Sequence, residues 1–371
     1  MSVQSSPQPA GSGLPFSPSV SAGGLIYVSG TLAGDASGAL PEGIAAQTRA
    51  TLERVDAVLH EAGASLREAV SVTVYLKRAE DFAAMNDVYR TFVGDTPPVR
   101  TTVVAELMRP DALIEVATVA AAQGTPRRVI HPSGWLRSPN PYSYAVEAGD
   151  TVFLSGLVAR NAADNTVVPG DMTAQAKTVL ENARAILTAA GLGFEQVVSA
   201  RVFVTDIAQF DAMNAVYRTY FPKDPPARAT VAAKLMGASY AVEMTFVASR
   251  APKQVIAGDG PANPNLSAAI RAGSRLYLSG MLGVTAETKG DAAAQTRETL
   301  RKLQATMARA GFTPADVVES LVYLTRPADF ASMNGAYGEI LRPPYPARTT
   351  VQAGLAAPDG MVEIMMMAVH R

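Results

Sequence analysis

Pro98-Val-Arg-Thr-Thr-Val103 is met again as Pro226-Ala-Arg-Ala-Thr-Val231 and once more as Pro346-Ala-Arg-Thr-Thr-Val351. Upstream of it, Asp81-Phe-Ala-Ala-Met-Asn86 returns as Phe210-Asp-Ala-Met-Asn214 and Phe330-Ala-Ser-Met-Asn334. Further upstream, Tyr27-Val-Ser-Gly30 returns as Phe153-Leu-Ser-Gly156 and Tyr277-Leu-Ser-Gly280. The intervals are as regular as the strings. Gln47 to Arg100, Gln175 to Arg228 and Gln295 to Arg348 each span 53 positions, and Glu115, Glu243 and Glu363 each follow their Arg by 15. Two intervals held three times mean three copies of one folding unit. The expected units are 1–123, 124–250 and 251–371, with the Pro/Gly-rich joints Gly124–Pro141 and Ala251–Pro264 as linkers. Length varies only between each Ser-Gly and its Gln (17, 19 and 15 positions), which marks a surface loop.

Within a unit the periodicity alternates. Leu52, Val55, Val58 and Leu59 lie on one face of a helix expected over Gln47–Ala62, which Gly63 stops. Val70 to Leu76 alternates like a half-buried strand, a second helix covers about Asp81–Phe92, and strands are expected at Arg100–Leu107 and Leu113–Ala120. With the strands before the first helix the order is β-β-α-β-α-β-β, an α+β unit. Two helices cover one face of such a sheet and leave the other apolar, which alone would be a large exposed patch. Three units in one chain bury that face by packing sheet against sheet, so the expectation is a closed pseudo-threefold ring, sheets inside and helices outside. A hairpin about Met108–Asp111 would place Glu115 opposite position 104 and Arg100 on the order of 13 Å away along the same face.

Composition narrows the chemistry. The chain has 371 residues, 48% hydrophobic and 18% charged, with 32 basic against 33 acidic residues. That balance offers no broad positive field for nucleic acid or an anionic membrane. Cysteine is absent, and His60, His131 and His370 share no ligand-like spacing, so no metal site, thiol nucleophile or histidine triad is expected. No Lys holds an equivalent place in all three copies, which argues against a Schiff base. Met1–Gly24 lacks Lys, Arg and any apolar run, and no stretch approaches a membrane span; a cytoplasmic protein is expected.

With Pro141-Tyr-Ser-Tyr-Ala-Val146, Phe153-Leu-Ser-Gly156, Met213-Asn-Ala-Val-Tyr217 and Pro226-Ala-Arg-Ala-Thr-Val231, the chain resembles the RidA family, also called YjgF and, in older usage, endoribonuclease L-PSP. The resemblance covers nearly the whole chain three times. It implies chorismate-mutase-like units, which in the family form a homotrimer with ligand clefts between subunits, so that this chain would be a monomeric pseudo-trimer. It also implies hydrolysis of reactive enamines and imines, such as 2-aminoacrylate and 2-iminopropanoate, to 2-oxo acids and ammonia, with no cofactor and no metal. Its expected partners are a small imino or 2-oxo acid, with neither nucleic acid nor membrane. A non-catalytic carboxylate-binding protein and an enzyme for a larger imine are alternatives; the old family name suggests ribonuclease, against which the neutral charge argues.

The resemblance makes Arg100, Arg228 and Arg348 the carboxylate anchors, and the chemistry suits them, since a guanidinium offers two parallel donors and stays charged at working pH. The plainer alternative is a strand-end Arg whose stem covers apolar surface. Glu115, Glu243 and Glu363 stand in apolar runs, where a carboxylate must be paired or face a cleft; the resemblance gives them water placement or proton transfer, the alternative a structural partner. Ser29-Gly30, Ser155-Gly156 and Ser279-Gly280 allow close backbone approach to a ligand, or simply form a bulge. By resemblance Asn86, Asn214 and Asn334 lie near the cleft. The motif's aromatic is Tyr142 in unit two, Phe16 in unit one and Leu266 in unit three, and Thr102, Thr230 and Thr350 stand where the family's deaminases often carry Cys.

Overall fold

The computed structural model of the chain describes residues 4–5, 13–34 and 37–370; part of the Met1–Gly24 segment therefore lies outside the described residues. The first unit runs β1 (Gln4–Ser5), β2 (Ser19–Ala22), β3 (Leu25–Thr31), α1 (Ile44–Glu61), β4 (Ala69–Leu76), α2 (Phe82–Val93), β5 (Val99–Val104) and β6 (Ile114–Ala121). The second runs β7 (Arg127–Ile130), β8 (Ala145–Ala148), β9 (Thr151–Leu154), α3 (Met172–Ala189), β10 (Val197–Val204), α4 (Phe210–Tyr220), β11 (Ala227–Ala232), β12 (Lys234–Leu235) and β13 (Val242–Ser249). The third runs β14 (Lys253–Ile256), β15 (Ala269–Ala272), β16 (Arg275–Leu282), α5 (Ala292–Arg309), β17 (Val317–Leu324), α6 (Phe330–Ile340), β18 (Ala347–Gln352), β19 (Gly354–Leu355) and β20 (Val362–Val369).

The expected helices form where their apolar faces lie. Leu52, Val55 and Leu59 of α1 are fully buried, and Gly63 takes φ +82°, a conformation that costs a glycine little, to end the helix. The joints are not plain linkers: each contributes an edge strand, β7 on β8 and β14 on β15. A larger correction concerns the last two strands of the unit. The β5–β6 hairpin does not form. β4–α2–β5 is a parallel crossover, with Val72 opposite Arg100, and β6 inserts on the other side of β4, with Tyr75 opposite Glu115. The sheet order β3-β6-β4-β5 therefore separates Arg100 from Glu115 by a strand, and units two and three repeat it.

Each unit buries its sheet on both faces in the same way: one face in a cluster under its own helices, the opposite face against the other units. Val99, Ala227 and Ala347 share one inter-unit cluster, and Tyr75, Phe203 and Tyr323 another. The sheet edges close the arrangement. Lys234–Leu235 of unit two extends β5 of unit one, Gly354–Leu355 of unit three extends β11 of unit two, and Leu107 of unit one bridges to Val351 on β18 of unit three. Every unit both gives and receives a cover for an otherwise open strand edge, so the contacts form a closed cycle.

Candidate functional site

The seams between units gather the residues that the repeats mark. A Ser in the motif that carries the aromatic position starts each seam: Ser143, Ser267 and Ser17 donate their backbone N–H to the carbonyls of Pro98, Pro226 and Pro346 of the preceding unit, at 3.0, 3.2 and 3.0 Å. Ser155, Ser279 and Ser29 continue it. Their hydroxyls accept from the backbone N–H of Arg100, Arg228 and Arg348 at 3.0, 2.8 and 2.8 Å and donate to the carbonyls of Ser143, Ser267 and Ser17. These hydroxyls are spent on joining two chain segments, and the side chains are buried. In units one and three the strand runs on through Ser-Gly with a shift of register, a bulge at that point.

The glycine of each pair makes room for a carboxylate. A Cβ on Gly30, Gly156 or Gly280 would fall 1.9 Å from Oε1 of Glu115, Glu243 or Glu363 respectively. Glycine is needed here for space, not for a left-handed backbone. The spacing from Gln to Glu also acquires a cause. The carboxamide of Gln175 donates to the carbonyl of Ser239 at 2.7 Å and accepts from the Ala241 N–H at 2.8 Å. Gln47 does the same with Asp111 and Leu113, and Gln295 with Asp359 and Met361. Each Gln pins the residues just before its glutamate.

Arg and Glu of one site come from different units. Glu243 feels the charge of Arg100, Glu363 that of Arg228, and Glu115 that of Arg348, yet no pair is within ion-pair distance. Burial pushes each of the three carboxyls from 4.5 up to about 8, the facing Arg lowering it only in part; at Glu243 the Thr102 backbone N–H also holds it down. Burial lowers all three arginines too, Arg348 to about 10. Nη1 of Arg100 and of Arg348 is buried with no hydrogen-bond partner among the described residues, and the Tyr217 hydroxyl lies beside Arg228. A buried, underused donor is costly and awaits an acceptor.

Aromatic rings hold each guanidinium. Arg100 lies over Phe82, Tyr89 and Tyr142, Arg228 over Phe210 and Tyr217, and Arg348 over Phe16, Phe330 and Tyr337, at 4.6–5.9 Å. Leu266 supplies no ring, so Arg228 has two where the others have three. The Phe and Tyr of the second helix went unassigned in the sequence, although Phe-x-x-x-Asn-x-x-Tyr recurs three times at i, i+4 and i+7, one helical face. Asn214 and Asn334 accept from Arg228 and Arg348 at 2.7 and 2.6 Å, whereas Asn86 donates to Asn140 at 3.3 Å. Thr102, Thr230 and Thr350 are buried two residues past each Arg.

The Arg100 seam opens as a cleft of about 90 Å³ lined by Phe82, Arg100, Thr102, Tyr142, Gly156 and Glu243, with Arg160 and Tyr240 on its far wall. At roughly 10–15 Å³ per water-sized atom this admits a ligand of on the order of six to nine heavy atoms. Arg160 is peculiar to this seam; Gly34 and Val284 stand in its place in the other units. A fixed cation beside a proton-bearing carboxyl in so small a cleft suits a small organic acid that must gain and lose protons.

The sequence profile described as endoribonuclease L-PSP matches residues 4–122, 135–250 and 259–370. Protein DfrA of Myxococcus xanthus is 41% identical over 124 residues, 33% of this chain and 95% of that protein. The goat (Capra hircus) protein named 2-iminobutanoate/2-iminopropanoate deaminase is 36% identical over 126 residues, 34% of this chain and 92% of its own length. Such relatives correspond to one unit each. A crystal structure of a chorismatase covers 82% of the chain and 93% of its own with a TM-score of 0.54; at 18% identity it shares the fold alone. Among the described residues no helix is long and apolar enough to cross a membrane.

Proposed function

The chain belongs to the endoribonuclease L-PSP family, the RidA/YjgF proteins, three times over, and from that premise we propose that its seams hydrolyse small 2-imino acids to 2-oxo acids and ammonia. One observation carries the proposal: at each seam a buried guanidinium lies near a carboxyl of the next unit that burial raises to about 8, and at the Arg100 seam the two line one cleft. The relatives named as iminobutanoate/iminopropanoate deaminases give the substrate class.

Arg100, Arg228 and Arg348 take the substrate carboxylate, to which a guanidinium gives two parallel hydrogen bonds. For an enamine, Glu243 and its counterparts give a proton to the terminal carbon, forming the imine. Water then adds to the C=N carbon of the protonated imine while one of its protons passes to the carboxylate; that proton next moves to nitrogen, and the carbinolamine expels ammonia as its hydroxyl proton returns to the carboxylate, leaving the C=O of the 2-oxo acid and the carboxyl restored. The substrate is reactive, so positioning and proton transfer suffice. Coupling the protein to a serine or threonine dehydratase and following 2-oxo acid release tests this. Acceleration is expected with the native chain and is lost in the Arg100/Arg228/Arg348→Ala chain; a native chain that leaves the release of every small imino acid unchanged overturns the proposal.

A further inference from the structure

A second cavity, of about 100 Å³, lies between the three sheets and apart from the seams. It is lined by equivalent positions of the central strands, and there the repeats depart from threefold symmetry. Thr73, Arg201 and Leu321 are equivalents, as are Ser71, Ser199 and Glu319. The cavity thus receives one cation and one anion. Arg201 donates from Nη2 to Thr73 Oγ1 at 3.1 Å, its one hydrogen bond among the described residues. Glu319, half-buried on the cavity wall, has no hydrogen-bond partner and no ion pair among the described residues, although it lies close enough to feel the charge of Arg201.

A carboxylate on such a wall without a protein donor lacks the partner that would offset its lost hydration. That loss is offset by a molecule that fills the gap and offers a cation to Glu319 and an anion to Arg201. We propose that this axial cavity binds one small zwitterion, of the size and charge pattern of a short α-amino acid, at one site per chain. Three identical units would line the cavity with three like charges; here one Arg and one Glu line it, and a ligand carrying both charges satisfies both. The Thr73 and Tyr27 side chains, also on the wall, add polar groups beside the charges. The volume allows on the order of seven to ten water-sized atoms, enough for glycine or alanine.

Titration calorimetry of the full chain with glycine, L-alanine, acetate and methylamine tests the site. The expected result is one amino acid bound per chain, at least tenfold more tightly than acetate or methylamine, and a further tenfold or greater loss in Arg201→Thr and in Glu319→Ser. Both replacements are the residues that other units carry at the same place. Glu319→Ser is expected to leave imine turnover at the seams unchanged, which keeps this outcome separate from the fate of the proposed activity. Should a variant fail to fold, the comparison of glycine with its two half-charged analogues on the native chain decides. Absence of binding, three sites per chain, equal affinity for acetate and glycine, or affinity unaltered in a folded Glu319→Ser chain each overturns the proposal.

Discussion

At the scale of single residues, each cleft depends on an atom that is absent. Gly156→Ala puts a methyl where the Glu243 carboxylate sits, 1.9 Å from its oxygen; overpacking of this kind costs about 1–3 kcal/mol. Loss of turnover at that seam is expected, read as a fall in kcat of the share one cleft contributes, with Gly30/Gly156/Gly280→Ala abolishing 2-oxo acid release. The raised carboxyls set the pH response. Because the acid form is the proton donor and titrates at about 8, kcat/KM should fall as pH rises through 8, by about tenfold per unit once the carboxyls are ionised. A profile flat to pH 10 would remove Glu from the proton transfer. Arg348, held at about 10, titrates above that limb.

At the scale of elements, the loop before the last strand of each unit is held by a buried carboxamide rather than by its own turn. Gln175→Leu keeps the helix face apolar but leaves the Ser239 carbonyl and Ala241 N–H unpaired, at about 1–3 kcal/mol each. Lower stability in urea is expected, together with a lower kcat at its seam, since Glu243 follows two residues later; unchanged stability would mean that water replaces both bonds. The second helix works in a similar way. Its Phe, Asn and Tyr turn one face toward the strand that begins at the Arg, so α2, α4 and α6 each hold a guanidinium as well as a core.

At the scale of the whole molecule, three carboxyls buried at seams make assembly itself pH-dependent. Their folded-state values lie near 8 and their ordinary value is 4.5. A group raised on folding contributes stability fully below its unfolded value, and that contribution is lost as pH rises through the folded one. Stability should therefore decline from about pH 4.5 to 8, by about 1.4 kcal/mol per pH unit for each carboxyl that keeps its proton only when folded. The Glu115/Glu243/Glu363→Gln chain, with no proton to lose, is expected to show a shallower decline by urea denaturation across that window and to lose turnover. Equal slopes for the two chains would mean that the carboxyls meet water in the native state.

Much of the design is legible in the residues. The fixed Gln–Arg–Glu intervals declare three units, the stops at Gly63, Gly191 and Gly311 bound the first helices, and two helices beside an apolar strand set demand a covered sheet face. Less legible is which strands adjoin. A hairpin and a parallel crossover with the last strand inserted elsewhere satisfy the same alternation of side chains; a hairpin sets Arg100 about 13 Å from Glu115 along one face, whereas in the structure a strand divides them. Nothing in the sequence marks Arg201 and Glu319, which break the repeat, as sharing one cavity; the three sheets bring them there. Periodicity records which face of an element is buried, and it is the same along a strand whatever lies beside it. Which unit supplies the carboxyl opposite each arginine is fixed by contacts between residues more than a hundred positions apart, and only the closing of the three units on one another decides that.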